Sequence, residues 1–273
     1  MKRLITLLCS LLLFTFTCTG ISFAQTDKSN EVKSNEYLTL KKLKSMNENE
    51  LISQGLNKDK INQIKSLDYA EELRKRAKLD SQTLKNMGYT DSQINTLKNF
   101  KGTESEIIAL SATCTLKAAL NNFSYNSTTD KTNFRVYFEW AWSSVPIITG
   151  TDIVALTWSP EMYMTIPDTQ TSHKVTYVHP IGTSYSKNVT VNPENAGTAA
   201  SSKFSMTEGA YWAKNGSGYM RVTKQGKLSE AAMLISYGHS QVTLTPSVSF
   251  SGLSISFGSG VNKESTSYLH APE

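Results

Sequence analysis

Four histidines, His173, His179, His239 and His270, are the first residues to weigh for chemistry. They stand without ligand spacing. No His-Glu-x-x-His pair, cysteine pair or calcium-loop pattern accompanies them, so no metal site is predicted. Serine is abundant, but a serine nucleophile needs a strained elbow and a base beside it, and no Gly-x-Ser-x-Gly is present. Glu139 and Asp152 come nearest to a glycosidase carboxylate pair. Glu139, however, falls between Phe138 and Trp140 on the polar side of a strand, where solvent is its expected surroundings. Cys114 is the one cysteine outside the N-terminal leader; it can close no intrachain disulfide and is expected as a small buried side chain. No catalytic residue, metal or cofactor is assigned, and the chain is not predicted to be an enzyme.

Aromatic residues offer the better lead. Trp140, Trp142 and Trp158 fall on the apolar sides of strands and are expected in the core. Tyr211 and Trp212 adjoin the polar run Lys214-Asn215-Gly216-Ser217-Gly218-Tyr219, whose Asn-Gly reads as a hairpin tip. Aromatic rings beside such a tip suit stacking on sugar rings or contact with a membrane surface. Tyr211, Trp212 and Tyr219 are therefore the predicted ligand-binding residues.

The compartment is read from residues 1–24. Lys2 and Arg3 precede an apolar run from Ile5 to Phe16, and Ser22-Phe23-Ala24 places small residues at both positions a signal peptidase reads. The run is too short to span a bilayer, and neither Cys9 nor Cys18 has a lipoprotein pattern before it. A secreted protein is expected, extracellular or loosely associated with a cell wall, and its Lys/Asn/Ser/Thr-rich composition suggests a Gram-positive bacterium. The formal net charge of +5 is too weak a bias to argue for nucleic acid.

The elements that must position these residues fall into two regimes. Residues 25–108 hold 15 Lys/Arg and 13 Asp/Glu, whereas residues 109–273 hold 11 and 10 in a stretch about twice as long. Over the same boundary Ser and Thr rise to 44 of 165 residues, which marks a change of fold. In the first regime a unit repeats: Leu51/Leu84, Gly55/Gly88, Ile61/Ile94, Asn62/Asn95 and Lys65/Lys98 are identical at one fixed spacing. Asn47 with Glu50, and Thr90 with Gln93, are spaced as helix N-terminal caps. Gly55 and Gly88 sit where a helix ends on a left-handed residue. The second regime alternates with period two, as in Phe134, Val136, Phe138, Trp140 and Trp142.

The predicted fold is thus α+β in two segregated parts, a helical hairpin repeat followed by an all-β antiparallel sandwich. Its boundaries are a signal peptide at 1–24, an unstructured lead-in at 25–35 and a helical region at 36–100, with copies at 46–67 and 79–100. A linker at 101–111 and the sandwich at 112–273 follow. The functional expectation is a secreted, non-catalytic binding module. Its sandwich would engage a cell-wall, glycan or protein ligand, and its helical repeat would dock a partner or act as a spacer. Two alternatives stand beside it: a membrane-active or pore-forming protein using the Ser/Thr-alternating hairpin Val242 to Phe257, and an extracellular hydrolase.

Overall fold

The computed structural model describes residues 30–54, 56–159, 163–164, 171–240, 248–258 and 261–272. The expected leader, Gly55, and Val242 to Pro246 of the Ser/Thr hairpin lie outside them. Strand β3 (Lys131–Trp142) shows why the chain layers into sheets: Phe134, Val136, Phe138, Trp140 and Trp142 are buried, while Arg135, Tyr137, Glu139 and Ala141 meet solvent in whole or part. Burying that aromatic ridge requires a second layer. Strands β4 (Thr151–Ser159), β9 (Ala199–Ser205) and β12 (Glu230–Ser240) supply it with Val154, Leu156, Trp158, Phe204, Met233 and Ile235.

Two antiparallel sheets result. The larger runs in the order β1 (Asn30–Asn35), β2 (Thr113–Asn126), β3, β11 (Tyr211–Gln225), β6 (Ser172–Val178) and β7 (Ser184–Val189); the short β5 (Tyr163–Met164) and β10 (Thr207–Glu208) also pair with β11. The smaller runs β15 (Val261–Pro272), β12, β4, β9 and β8 (Asn192–Glu194). Strand β4 is buried on both faces. Its inner side chains meet the larger sheet. Its outer ones lie under a separate hairpin of β13 (Val248–Phe250) and β14 (Ile255–Phe257), where Ile255 is 2% exposed and Thr157 donates its hydroxyl to the Gly252 carbonyl at 2.9 Å.

Between β1 and β2 the described residues form seven short helices: α1 (Glu36–Ser45), α2 (Glu48–Ser53), α3 (Lys58–Ser66), α4 (Tyr69–Ala77), α5 (Ser81–Asn86), α6 (Asp91–Lys98) and α7 (Glu104–Leu110). The predicted repeat is present and longer than its sequence signal. Helices α1–α3 and α4–α6 match throughout, from the caps Asn35 and Asp68 to the buried pairs Leu40/Leu73, Leu51/Leu84 and Ile64/Leu97. The shared lysine has one task in both copies. Lys65, on α3, donates to the carbonyls of Lys44 and Met46, and Lys98, on α6, to those of Ala77 and Leu79, so each closes the carbonyl end of the first helix of its copy, α1 or α4. Both predicted capping boxes form, on Asn47 with Glu50 and on Thr90 with Gln93.

Three expectations are corrected. Part of the lead-in is not unstructured: Asn30–Asn35 forms β1, in register with β2 from Asn30↔Ala118 to Asn35↔Thr113. As a polar edge strand it carries almost no apolar alternation to read. The linker at 101–111 contains α7, closed by a capping box of Thr103 and Glu106. Most consequentially, the helical region does precede the main body of the sheets, as expected, but one strand of the larger sheet comes before it. It leaves from the end of β1 and returns at the start of β2, so it is an insertion between two paired strands. Ser111 Oγ donates to Asn35 Oδ1 at 2.9 Å and Glu36 N–H to Ala112 C=O at 3.0 Å, closing its neck.

The Asn215-Gly216 tip is the fourth difference, because β11 runs straight through it. Gly216 faces Trp140 in register and Gly218 faces Phe138, and the rings lie over the bare backbone. A Cβ on Gly218 would stand 2.3 Å from Phe138 Cζ and 2.4 Å from the Ser172 carbonyl oxygen. Gly218→Ala is therefore expected to lower stability by about 1–3 kcal/mol through overpacking, measured as a shifted urea midpoint with an unchanged slope.

Candidate functional site

The residues richest in acid–base chemistry converge at the neck of the helical insertion, and they are sealed. Glu36, the first residue of α1, is 0% exposed. Its Oε1 accepts Ile148 N–H at 2.7 Å, and its Oε2 accepts Ile147 N–H at 3.0 Å and the Tyr69 hydroxyl at 2.7 Å. Glu36 Oε1 also lies 3.7 Å from His239 Nε2. On the other side of that ring, Nδ1 stands 2.9 Å from each oxygen of Asp152. Asp152 further accepts the Tyr237 hydroxyl at 2.6 Å and Ser240 N–H at 3.2 Å, and Trp142 Nε1–H donates to Tyr237 at 2.9 Å.

Burial alone drives each of these groups toward its neutral form. For His239 the two carboxylates outweigh it and hold the imidazole well above its ordinary value. For Glu36 burial pushes upward, but His239, the Ile148 amide and Tyr69 together carry it below the ordinary carboxylate value. Burial and the adjacent carboxylates push the Tyr69 and Tyr237 phenols well up. The His239 ring is wholly buried, with Nδ1 against Asp152 and Nε2 facing Glu36. The array is a fastener.

A second buried histidine has both ring nitrogens partnered. His173 Nε2 accepts Trp140 Nε1–H at 2.9 Å, its Nδ1 is 2.8 Å from Ser202 Oγ, and burial lowers its pKa to about 3. Glu139 is exposed and Asp152 is interior, so the two do not converge. Among the described residues no group of three or more His, Cys, Asp or Glu side chains is placed to hold a metal. Cys114 is buried, as its strand position predicts.

The predicted ligand-binding residues separate. Trp212 is 3% exposed and belongs to the main apolar cluster. Tyr211 is half-buried at one end of β11, and its ring meets His179 at 4.9 Å and Tyr185 at 5.0 Å between centroids. Tyr185 stacks in turn on Tyr177 at 5.3 Å, and its hydroxyl donates to Glu208, which Lys187 also pairs. Beyond this rim the turn after β6 carries Ile181, 74% exposed. Tyr219 lies eight residues further along β11, roughly 25 Å away, and on the opposite face. Its neighbours there are Tyr137, at 5.8 Å between centroids, and Arg135, 5.8 Å over its ring.

Sequence reasoning named Asp152 and His239 separately but not Glu36, Tyr237 or Tyr185. Glu36 follows an Asn cap just as Glu48 follows Asn47, and nothing local marks it as buried.

No family model matches the chain, and no curated protein matches it. Among solved structures it is similar to a pore forming protein (TM-score 0.26, 8% identity, 58% of this chain and 84% of that one). It is also similar to the collagen-binding domain of a Staphylococcus aureus adhesin (0.30, 7%, 56% and 99%), and to Clostridium perfringens delta-toxin (0.25, 9%, 62% and 84%). The likeness to toxins and to an adhesin domain is one of distant fold.

The fastener sets a pH profile. His239 contributes fully below its ordinary 6.5, and that stability is lost as pH rises through its raised folded value. Glu36 contributes fully above its ordinary 4.5, and that stability is lost as pH falls through its lowered folded value. Thermal melts across pH are expected to peak between 4.5 and 6.5. Glu36→Gln should cost about 3 kcal/mol and flatten the acid limb.

Proposed function

We propose that this chain is an exported, non-catalytic binding protein that meets a glycan or protein at a cell surface through the aromatic rim around Tyr211. One observation carries the reading: the acid–base side chains that converge are internal and face one another, whereas rings of Tyr185, Tyr211 and His179 gather at the surface beside an exposed isoleucine. Aromatic faces with polar edges bind sugar rings and peptide surfaces at small entropic cost. The helical unit, fixed at its neck and by Arg76 donating to the Val145 and Pro146 carbonyls, serves as a rigid docking or spacing element.

A second reading, membrane entry, is favoured by the placement of the β13–β14 hairpin. It too is inserted between paired neighbours, β12 and β15, and is seated on the outside of the smaller sheet rather than hydrogen-bonded into it. Residues 241–260 alternate apolar side chains with Ser and Thr and contain no charge, the pattern a strand needs with lipid on one face and water on the other. No helix among the described residues is long and apolar enough to cross a membrane, which leaves strands to be considered on their own terms.

Retention of the full chain on cell-wall, glycan and surface-protein fractions tests the first reading. Tyr211→Ala and Tyr185→Ala should each weaken it about ten-fold, while Trp212→Ala lowers the melting temperature. Unchanged retention by both tyrosine variants removes the rim from the site. The second reading expects dye release from loaded liposomes at micromolar protein, and sealed liposomes dismiss it.

A further inference from the structure

The two copies of the helical unit differ at the junction that follows their third helix. In the second copy Phe100 closes this junction, and the Arg74 guanidinium lies 5.9 Å over its ring. The matching positions in the first copy hold Leu67 and Lys41. Leu67 is the smaller side chain, and Lys41 pairs instead with Glu104 on α7. Tyr37 stands where the second copy has Ala70, but its ring packs on Tyr69, 5.3 Å between centroids. What remains is an open cleft of about 390 Å³ between α1, the α3–α4 junction and α7.

Its floor is apolar. Leu40, Tyr69 and Ile107 are buried side chains of the helical core, and Leu67 packs against them. An apolar cavity of about 150 Å³ already holds a benzene ring, so the cleft has room for a ring and the backbone that carries it. Its wall is cationic. Lys44 is half-buried, donates to the Leu67 carbonyl and forms no ion pair among the described residues. Asp68, the carboxylate that lines the cleft, is committed to the start of α4, where it accepts Glu71 N–H at 3.0 Å. The Lys41–Glu104 pair is open to solvent and therefore holds little energy against exchange. A ring with a carboxylate beside it meets both surfaces at once. The second copy makes the same recognition within the chain, an aromatic ring beneath a cation.

We propose that this cleft docks an aromatic side chain flanked by carboxylates on a partner polypeptide. The ring takes the place that Phe100 fills in the second copy, against Leu67 and Ile107. Lys44, with three donors, adds a carboxylate to the carbonyl it already holds. The assignment rests on the reading of the helical unit as a docking element and does not involve the Tyr211 rim. Because the floor belongs to the packed core of the helices, the cleft is formed before the partner arrives and little ordering accompanies binding.

Amide chemical shifts of the full chain, titrated with blocked pentapeptides to millimolar concentration, test it. Gly-Glu-Phe-Glu-Gly should bind and shift Leu40, Leu67 and Ile107. Gly-Glu-Ala-Glu-Gly and Gly-Lys-Phe-Lys-Gly should each bind about ten-fold more weakly. Lys44→Gln should weaken binding of the first peptide about ten-fold with the melting temperature unchanged. Leu67→Phe writes the second copy's residue into the first; it should keep the fold and abolish binding. No shifts from Gly-Glu-Phe-Glu-Gly, equal binding of either control peptide, full affinity in Lys44→Gln or full affinity in folded Leu67→Phe overturns the assignment. Phenylacetate binding where the peptide does not assigns the cleft to small acids, and a wild-type dimer that Leu67→Phe dissociates assigns it to a second copy; each also overturns the proposal. Retention on surface fractions that still falls in Tyr211→Ala while the cleft fails leaves the rim standing and removes only this site.

Discussion

The meeting of Glu36 with His239 is the constraint on which the arrangement of this molecule turns. Each belongs to a different part of the fold, the carboxylate to the first turn of the helical insertion and the imidazole to the last residues of β12. Neither charge is tolerable alone in the interior, since an unpaired buried ion costs several kcal/mol. Together with Asp152 and the two amides of Ile147 and Ile148 they form one buried set, in which only His239 Nε2, 3.7 Å from Glu36, makes no hydrogen bond. The set works only when helical unit, β3–β4 loop and β12 are all in their final places. Geometry is thereby specified where apolar packing would accept several alternatives.

Two insertions share this region. The helical unit starts at Glu36, directly after β1, and β12 ends at Ser240, whose amide donates to Asp152, on the segment that leads to the Ser/Thr hairpin. Gly88 adds a second seam. At φ +95° it ends α5 against the β3–β4 loop, where a side-chain carbon would stand 2.5 Å from the Ser143 carbonyl oxygen, and Val145 N–H bonds Met87 C=O at 2.9 Å beside it. The sandwich is thus a frame from which two accessory elements emerge with their roots tied, one to the other, through a single charged cluster.

Much of this was legible in the residues. The alternation from Phe134 to Trp142 is a direct record of one dry face and one wet face, and Lys65 and Lys98 recur because both copies have helix carbonyls to close. The illegible parts share a cause: they depend on partners remote in the chain. The strand β1 reads as a polar tail because its order comes from β2. Asn215-Gly216 reads as a turn because glycine's other use, making room for Trp140 and Phe138, is invisible until β3 lies alongside. Tyr211 and Trp212 look like one patch because they are adjacent, yet successive residues of a strand point to opposite sides. Tyr219 lies far along β11 from both, beside Tyr137 on the face opposite the rim.

The neck formed by Asn35↔Thr113 has a consequence for how the chain assembles. Its partners are separated by the whole of α1–α7, so the closing of β1 onto β2 is a non-local event with a large loop to gather. A chain delivered from its amino end presents β1 first, then must hold that segment unpaired while the seven helices and β2 emerge. The helices, built from local contacts and individually capped, form quickly and bring the two ends of the loop together. Seen this way, the repeat shortens the search that the first strand must make for its neighbour.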